Sequence, residues 1–240
     1  MEQLELAEKY KNILQSFTQG LKNIYADELL SLILYGSAAS GEFVDQHSNL
    51  NLLVVLINTD LEEIKKSAKL IKKFKLISAL FLSEDYIASS TDIFPIEFLD
   101  MQDNYFVLYG KDVLKNMQVD IRNLRFQCEQ ELKAKLIKLK QAYLLLNNKI
   151  PKLRSLLFVS FTSVLHILRS LLRIKERKTP YLKHEVLKEL LSEFKINQDV
   201  WEKILLAKNK KISLTDKEVE QLFISFVREL ERIVTIVDKL

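Results

Sequence analysis

Cysteine occurs once, at Cys128, so the chain cannot close an internal disulfide, and a reducing cytoplasm is the expected setting. Cys128 lies in a helical pattern with neither an adjacent histidine nor a helix start, the context of a buried thiol rather than a nucleophile. The three histidines, His47, His166 and His184, are scattered without metal-ligand spacing, which argues against a zinc centre. Long apolar runs are missing as well. The most hydrophobic stretch, 155–172, is interrupted by Ser160, Thr162, Ser163, His166, Arg169 and Ser170, so no membrane helix of ~20 residues is expected. The opening Met1-Glu2-Gln3-Leu4-Glu5 is acidic and lacks the basic-then-apolar order of a secretion signal. Glycine and proline are scarce and unevenly placed. All four glycines precede residue 111, and beyond Asp120 only Pro151 and Pro180 interrupt the chain, each suited to a helix start.

What is present is a chain of 240 residues with 48% apolar and 9% aromatic content, enough to bury one large core or two modest ones. The net charge of +4 conceals an asymmetry: residues 1–119 carry 11 Lys+Arg against 17 Asp+Glu, and residues 120–240 carry 25 against 15. A basic second half can attract a nucleotide, an acidic protein or a nucleic acid, although helical lysine is also the ordinary solvated surface. The Lys208-Asn209-Lys210-Lys211 run has no interleaved aromatics for stacking on bases, which argues against nucleic acid as a partner.

Apolar residues from 4 to 24 recur at helical spacing and predict a leading amphipathic helix. Leu29–Tyr35 and Asn51–Ile57 read as strands, Leu61–Lys73 as a helix, and Leu76–Leu82 as a further strand. Ile93–Leu99 reads as a fourth strand whose alternation turns Glu97 inward, with Asp100 nearer its exit. Pro95 within it argues for an edge position. Residues 105–112 form a short element and turn. From residue 119 the pattern is helical throughout: Ile121 to Tyr143 in steps of three or four, an apolar segment Leu153–Ile174, shorter helices over Tyr181–Phe194 and Asp199–Ala207, and a last helix opened by a cap within 213–218. Two domains are therefore expected, 1–118 and 119–240.

The most informative stretch is Leu34-Tyr35-Gly36-Ser37-Ala38-Ala39-Ser40-Gly41, followed by Ser48-Asn49-Leu50-Asn51 and the apolar Leu52-Leu53-Val54-Val55. A strand ending at Gly36-Ser37 and turning into a short helix presents free backbone N–H groups that suit a phosphate, and glycine lets the backbone approach closely. Asn49 and Asn51, two apart at a strand entry, share a face. This ordered set resembles the active-site signature of the nucleotidyltransferase superfamily, which includes polymerase-β-like, kanamycin-type and minimal members, and reads Gly-Ser, small residues, Gly, a loop, then Ser-Asp-x-Asp. Here Ser-Asn-x-Asn stands in place of the two aspartates.

The resemblance implies an α+β fold, a nucleotidyltransferase-like mixed sheet with flanking helices followed by an all-α helical bundle, similar to bacterial two-domain members. It implies nucleotide binding at Gly36, Ser37, Ser48, Asn49 and Asn51, and Mg²⁺ held by Asn49, Asn51 and Glu97 if the site is active. Glu97 is then the remaining catalytic acid, with Asp100 as the alternative, and Asp45 in the loop before Ser48 is a further candidate anchor for Mg²⁺. Hard cations bind through accumulated anionic oxygens, and two amides are poor substitutes, so transfer of an NMP group from an NTP to a small-molecule or protein hydroxyl is expected to be impaired or lost. Arg169 and Arg173, four apart on an otherwise apolar helix, are candidate phosphate or acceptor contacts, or else structural ion-pair partners. The alternatives are a catalytically inactive nucleotide- or partner-binding protein and a helical-bundle interaction protein that forms a homodimer.

Overall fold

In the computed structural model, which describes residues 5–41, 43, 49–146, 149–175, 179–180, 182–194 and 196–240, the chain divides into two compact units, Met1–Asp120 and Ile121–Leu240. The first opens with α1 (Glu8–Tyr25), whose Tyr10, Leu14, Phe17, Leu21 and Tyr25 recur every three or four residues and are buried. Four strands follow in a sheet: β1 (Leu29–Tyr35), β2 (Leu50–Leu56), β3 (Ile77–Leu82) and, after the intervening helices, β4 (Tyr105–Gly110). Their spatial order is β3-β2-β1-β4, with β1 antiparallel to both β2 and β4, and β2 parallel to β3.

The two-residue period sorts the side chains. Leu32, Leu34, Leu50, Leu52, Val54 and Leu56 join α1 in one core, while Ile33, Leu53 and Val55 pack on the opposite face. That opposite face is covered by Ile87 of α4 (Glu84–Ser90), by Phe98 and Met101 of α5 (Pro95–Asp103), and by Leu114. Each fully buried side chain of this size contributes roughly 1.5–3 kcal/mol of transfer free energy, opposed by the entropy of ordering it.

Two expectations are corrected. The segment 93–99 is no strand: Pro95 occupies the first turn of α5, where its missing N–H and fixed φ favour a helix, and Pro95, Phe98 and Met101 share the buried face at a spacing of three. The fourth strand is instead Tyr105–Gly110, and the argument from Pro95 for an edge position no longer applies. The single helix expected over 61–73 is two, α2 (Leu61–Lys65) and α3 (Ala68–Lys73). Between them the buried Ser67 donates its hydroxyl to the Ile64 carbonyl at 2.8 Å, a side-chain bond that competes with continuing the helical ladder.

The second unit consists of α6 (Ile121–Leu145), α7 (Ile150–Ile174), α8 (Lys183–Phe194), α9 (Gln198–Lys208) and α10 (Asp216–Val237). Pro151 lies in the first turn of α7, as its chemistry requires. Among the described residues α7 alone is long and apolar enough to cross a membrane by length and composition, yet 61% of that stretch is buried, as for the central helix of a bundle. Cys128 is buried on α6, its thiol 3.8 Å from the Ile167 carbonyl oxygen. Trp201 is fully buried, with ring centroids 5.7 Å from Phe161 and 5.5 Å from Phe226. α10 begins with a capping box: the Thr215 hydroxyl accepts from the Glu218 N–H, and the Glu218 carboxylate accepts from the Thr215 N–H at 2.9 Å.

Candidate functional site

At the end of β1 the chain turns sharply. Gly36 has φ +76°, a value glycine adopts freely, and a 3-10 turn over Gly36–Ala38 follows. The Ala39 and Ser40 N–H groups donate back to the Gly36 carbonyl at 2.9 and 3.0 Å, and Gly36 N–H donates to the Asn104 carbonyl at 3.2 Å. This last bond ties the turn to the chain leaving α5. The first N–H groups of such a turn, here those of Ser37 and Ala38, have no acceptor within it.

Strand register aligns four polar residues across this end of the sheet: Ser78 on β3 stands beside Asn51 on β2, Asn51 beside Tyr35 on β1, and Tyr35 beside Tyr105 on β4. Residues directly opposite one another point to the same side, and Tyr35 and Tyr105 border the core under α4 and α5, so the row lies on that face. Strands are about 4.8 Å apart, giving a shelf about 14 Å wide. Tyr35 and Asn51 are half-buried, whereas Ser78 and Asn49 are exposed. Burial pushes the Tyr35 phenol above its ordinary pKa, so it stays a donor at neutral pH. Burial, then a hydrogen bond to Asp112, does the same for Tyr105, whose hydroxyl donates to the Asp112 carboxylate at 3.0 Å.

The other expected site residues are less clustered. Glu97 is exposed in the first turn of α5, whereas the Asn104 that touches the Gly36 turn follows the last residue of that helix. Seven residues separate them, roughly 10 Å along a helix axis, so the inward strand orientation read for Glu97 is not what the fold provides. The half-buried Asp100 is one turn from Asn104 and nearer the Gly-Ser turn. Ser48, Asp45 and His47 lie outside the described residues. Arg169 is buried, and its guanidinium donates to the Pro180 carbonyl at 2.9 Å and the Thr179 carbonyl at 3.4 Å. Arg173 is half-buried and donates to the Ser170 hydroxyl at 2.8 Å. Arg169 thus has a structural task that its spacing on an apolar helix did not reveal.

Divalent cations of the Mg²⁺ class favour hard anionic oxygens. β3 carries no acidic residue, the row offers an amide, a hydroxyl and two phenols, and among the described residues no three His, Cys, Asp or Glu side chains gather where they could hold a metal ion. The described donors do not fit a two-metal centre. They suit hydrogen bonding to a polar or anionic ligand. The register partnership of Ser78 and Asn51 depends on which strand lies next to β2, which local sequence does not reveal.

No protein-family model matches the chain, and no curated protein matches it. Among solved structures it is similar to spectinomycin adenyltransferase AAD(9) from Enterococcus faecialis, determined with ATP and spectinomycin, at a TM-score of 0.60 and 11% identity, covering 92% of this chain and 99% of that one. A likeness at that identity carries the fold and leaves the site residues to be argued on their own. The chain shares the α+β fold of that structure, a mixed sheet with flanking helices followed by a helical region.

Proposed function

We propose that this chain is a nucleotidyltransferase-fold protein whose first unit binds an NTP at the Gly36-Ser37 turn, while transfer of an NMP group to a small-molecule or protein hydroxyl is impaired or lost. The observation that carries the reading is the amide pair Asn49 and Asn51 beside a β3 without acids, on the sheet end that also bears the turn. Replacing carboxylates by amides of the same shape preserves the strand while removing charge repulsion between them. Any Mg²⁺ would be held through the two amide carbonyls and Asp100 of α5, since Glu97 lies further from the Gly36 turn. The cytoplasm is the setting this reading assumes.

Calorimetry with each NTP tests binding, and pyrophosphate release in the presence of Mg²⁺ tests transfer. Spectinomycin is the first acceptor to try, because the similar solved structure holds it together with ATP. Binding is expected, with release far below the ~10 per second of a typical enzyme; turnover at that rate would overturn the loss of transfer. The double substitution Asn49→Asp, Asn51→Asp is expected to create Mg²⁺ binding measurable by calorimetry, and no gain would mean the two positions do not converge.

A second reading, self-association through the bundle, is favoured by exposed apolar side chains on α6: Ile137 is 58% exposed, Leu144 75% and Leu145 77%. Light scattering across a concentration series separates a homodimer from a monomer.

A further inference from the structure

We propose that the row of Tyr35, Asn51 and Ser78 receives the phosphates of a nucleotide by direct hydrogen bonds, without a divalent cation. This inference rests on the nucleotide-binding reading above and sharpens it. The three residues occupy neighbouring strands in register on one face. None makes a side-chain hydrogen bond to another described residue, and none is among the described buried polar atoms left without a partner, so their donors stand open to solvent. A ligand that accepts hydrogen bonds can take the place of that water.

All three present neutral donors: a phenol, an amide N–H₂ and a hydroxyl. Side chains of these types and backbone N–H groups are what proteins use to hold phosphate oxygens directly. Backbone donors are close by, because Tyr35 leads straight into Gly36 and the first N–H groups of the 3-10 turn. A pair of carboxylates at positions 49 and 51 would repel a polyphosphate until a cation lay between them, whereas amides impose no such requirement. Among the described residues no carboxylate lies on β1, β2 or β3; Asp112 accepts from Tyr105 at the β4 end, and Asp100 and Asp103 are on α5. Charge therefore does not demand a metal on the three strands that form the row.

The test is equilibrium binding of ATP to the full chain, once in EDTA and once in excess Mg²⁺, with inorganic tripolyphosphate as competitor. The expected result is an affinity in EDTA within about threefold of that in Mg²⁺, and displacement of ATP by tripolyphosphate. Ser78→Asp, at an exposed position, and Asn51→Asp are each expected to weaken binding in EDTA by about tenfold while circular dichroism stays unchanged. Binding that requires Mg²⁺ overturns the inference and leaves the nucleotide-binding reading standing. No binding in either condition removes both. Unaltered affinity in both variants, or no competition by tripolyphosphate, means the phosphates sit elsewhere, and the inference falls.

Discussion

Gly110 ends β4 at φ +76°, and a Cβ there would overlap the Leu30 carbonyl oxygen on the neighbouring strand. Two penalties coincide, since a side chain is strained at that φ and the backbone it meets cannot step aside. Gly110→Ala is therefore expected to destabilise by at least ~2 kcal/mol, read from the midpoint of urea unfolding. Arg169 presents the opposite case, a charge that is kept inside. Its guanidinium bonds to the carbonyls of Thr179 and Pro180, between α7 and α8, and Arg169→Met would leave those oxygens without their cationic donor. A loss of about 2 kcal/mol is expected, with ATP affinity unchanged if the residue serves only structure. A drop in affinity at unaltered stability would return Arg169 to the ligand contacts. The pattern of an arginine on an apolar helix was readable beforehand; its partners were not, because they are backbone carbonyls on a segment without periodicity.

The capping box of α10 makes the start of one helix sensitive to acid. The Thr215 N–H, followed by its hydroxyl and by Lys203, holds the Glu218 pKa at about 2 instead of the usual 4.5. A depressed pKa stabilises the folded form once pH exceeds the ordinary value, so this contribution is full above about 4.5 and is lost as pH falls towards about 2. Glu218→Gln should flatten that part of the melting-temperature profile, and Thr215→Ala should lower stability by about 1 kcal/mol at neutral pH. An identical acid profile in wild type and Glu218→Gln would dismiss the cap as its source. This cap was legible in advance because Thr-x-x-Glu before an apolar run carries its own mechanism. The segment around α5 was not. In Ile93-Phe94-Pro95-Ile96-Glu97-Phe98-Leu99-Asp100-Met101, apolar residues satisfy alternation and helical spacing equally over so short a window, and only Pro95 at the first turn separates them. Tyr105–Gly110 is uniformly apolar and aromatic, so its strand character emerges from pairing with β1 rather than from any period of its own.

Across the whole chain, composition anticipates the helical half well, since the complete absence of glycine beyond Gly110 leaves little besides helices. Strand order, by contrast, is a tertiary choice, and it makes Ser78 the neighbour of Asn51. The charge asymmetry predicts a salt effect: if the basic second half draws in nucleotide, association should slow as ionic strength rises, whereas a salt-independent on-rate in stopped flow would reduce those lysines to solvated surface. The aromatic cluster around Trp201 has a practical consequence. It is the chain's sole tryptophan and sits entirely within the second unit, between Phe161 and Phe226. Indole emission excited near 295 nm is thus a built-in, label-free reporter of melting in residues 121–240, while the first unit is spectrally silent at that wavelength. Emission and far-ultraviolet dichroism that part company during a denaturant titration would reveal two halves unfolding on separate schedules.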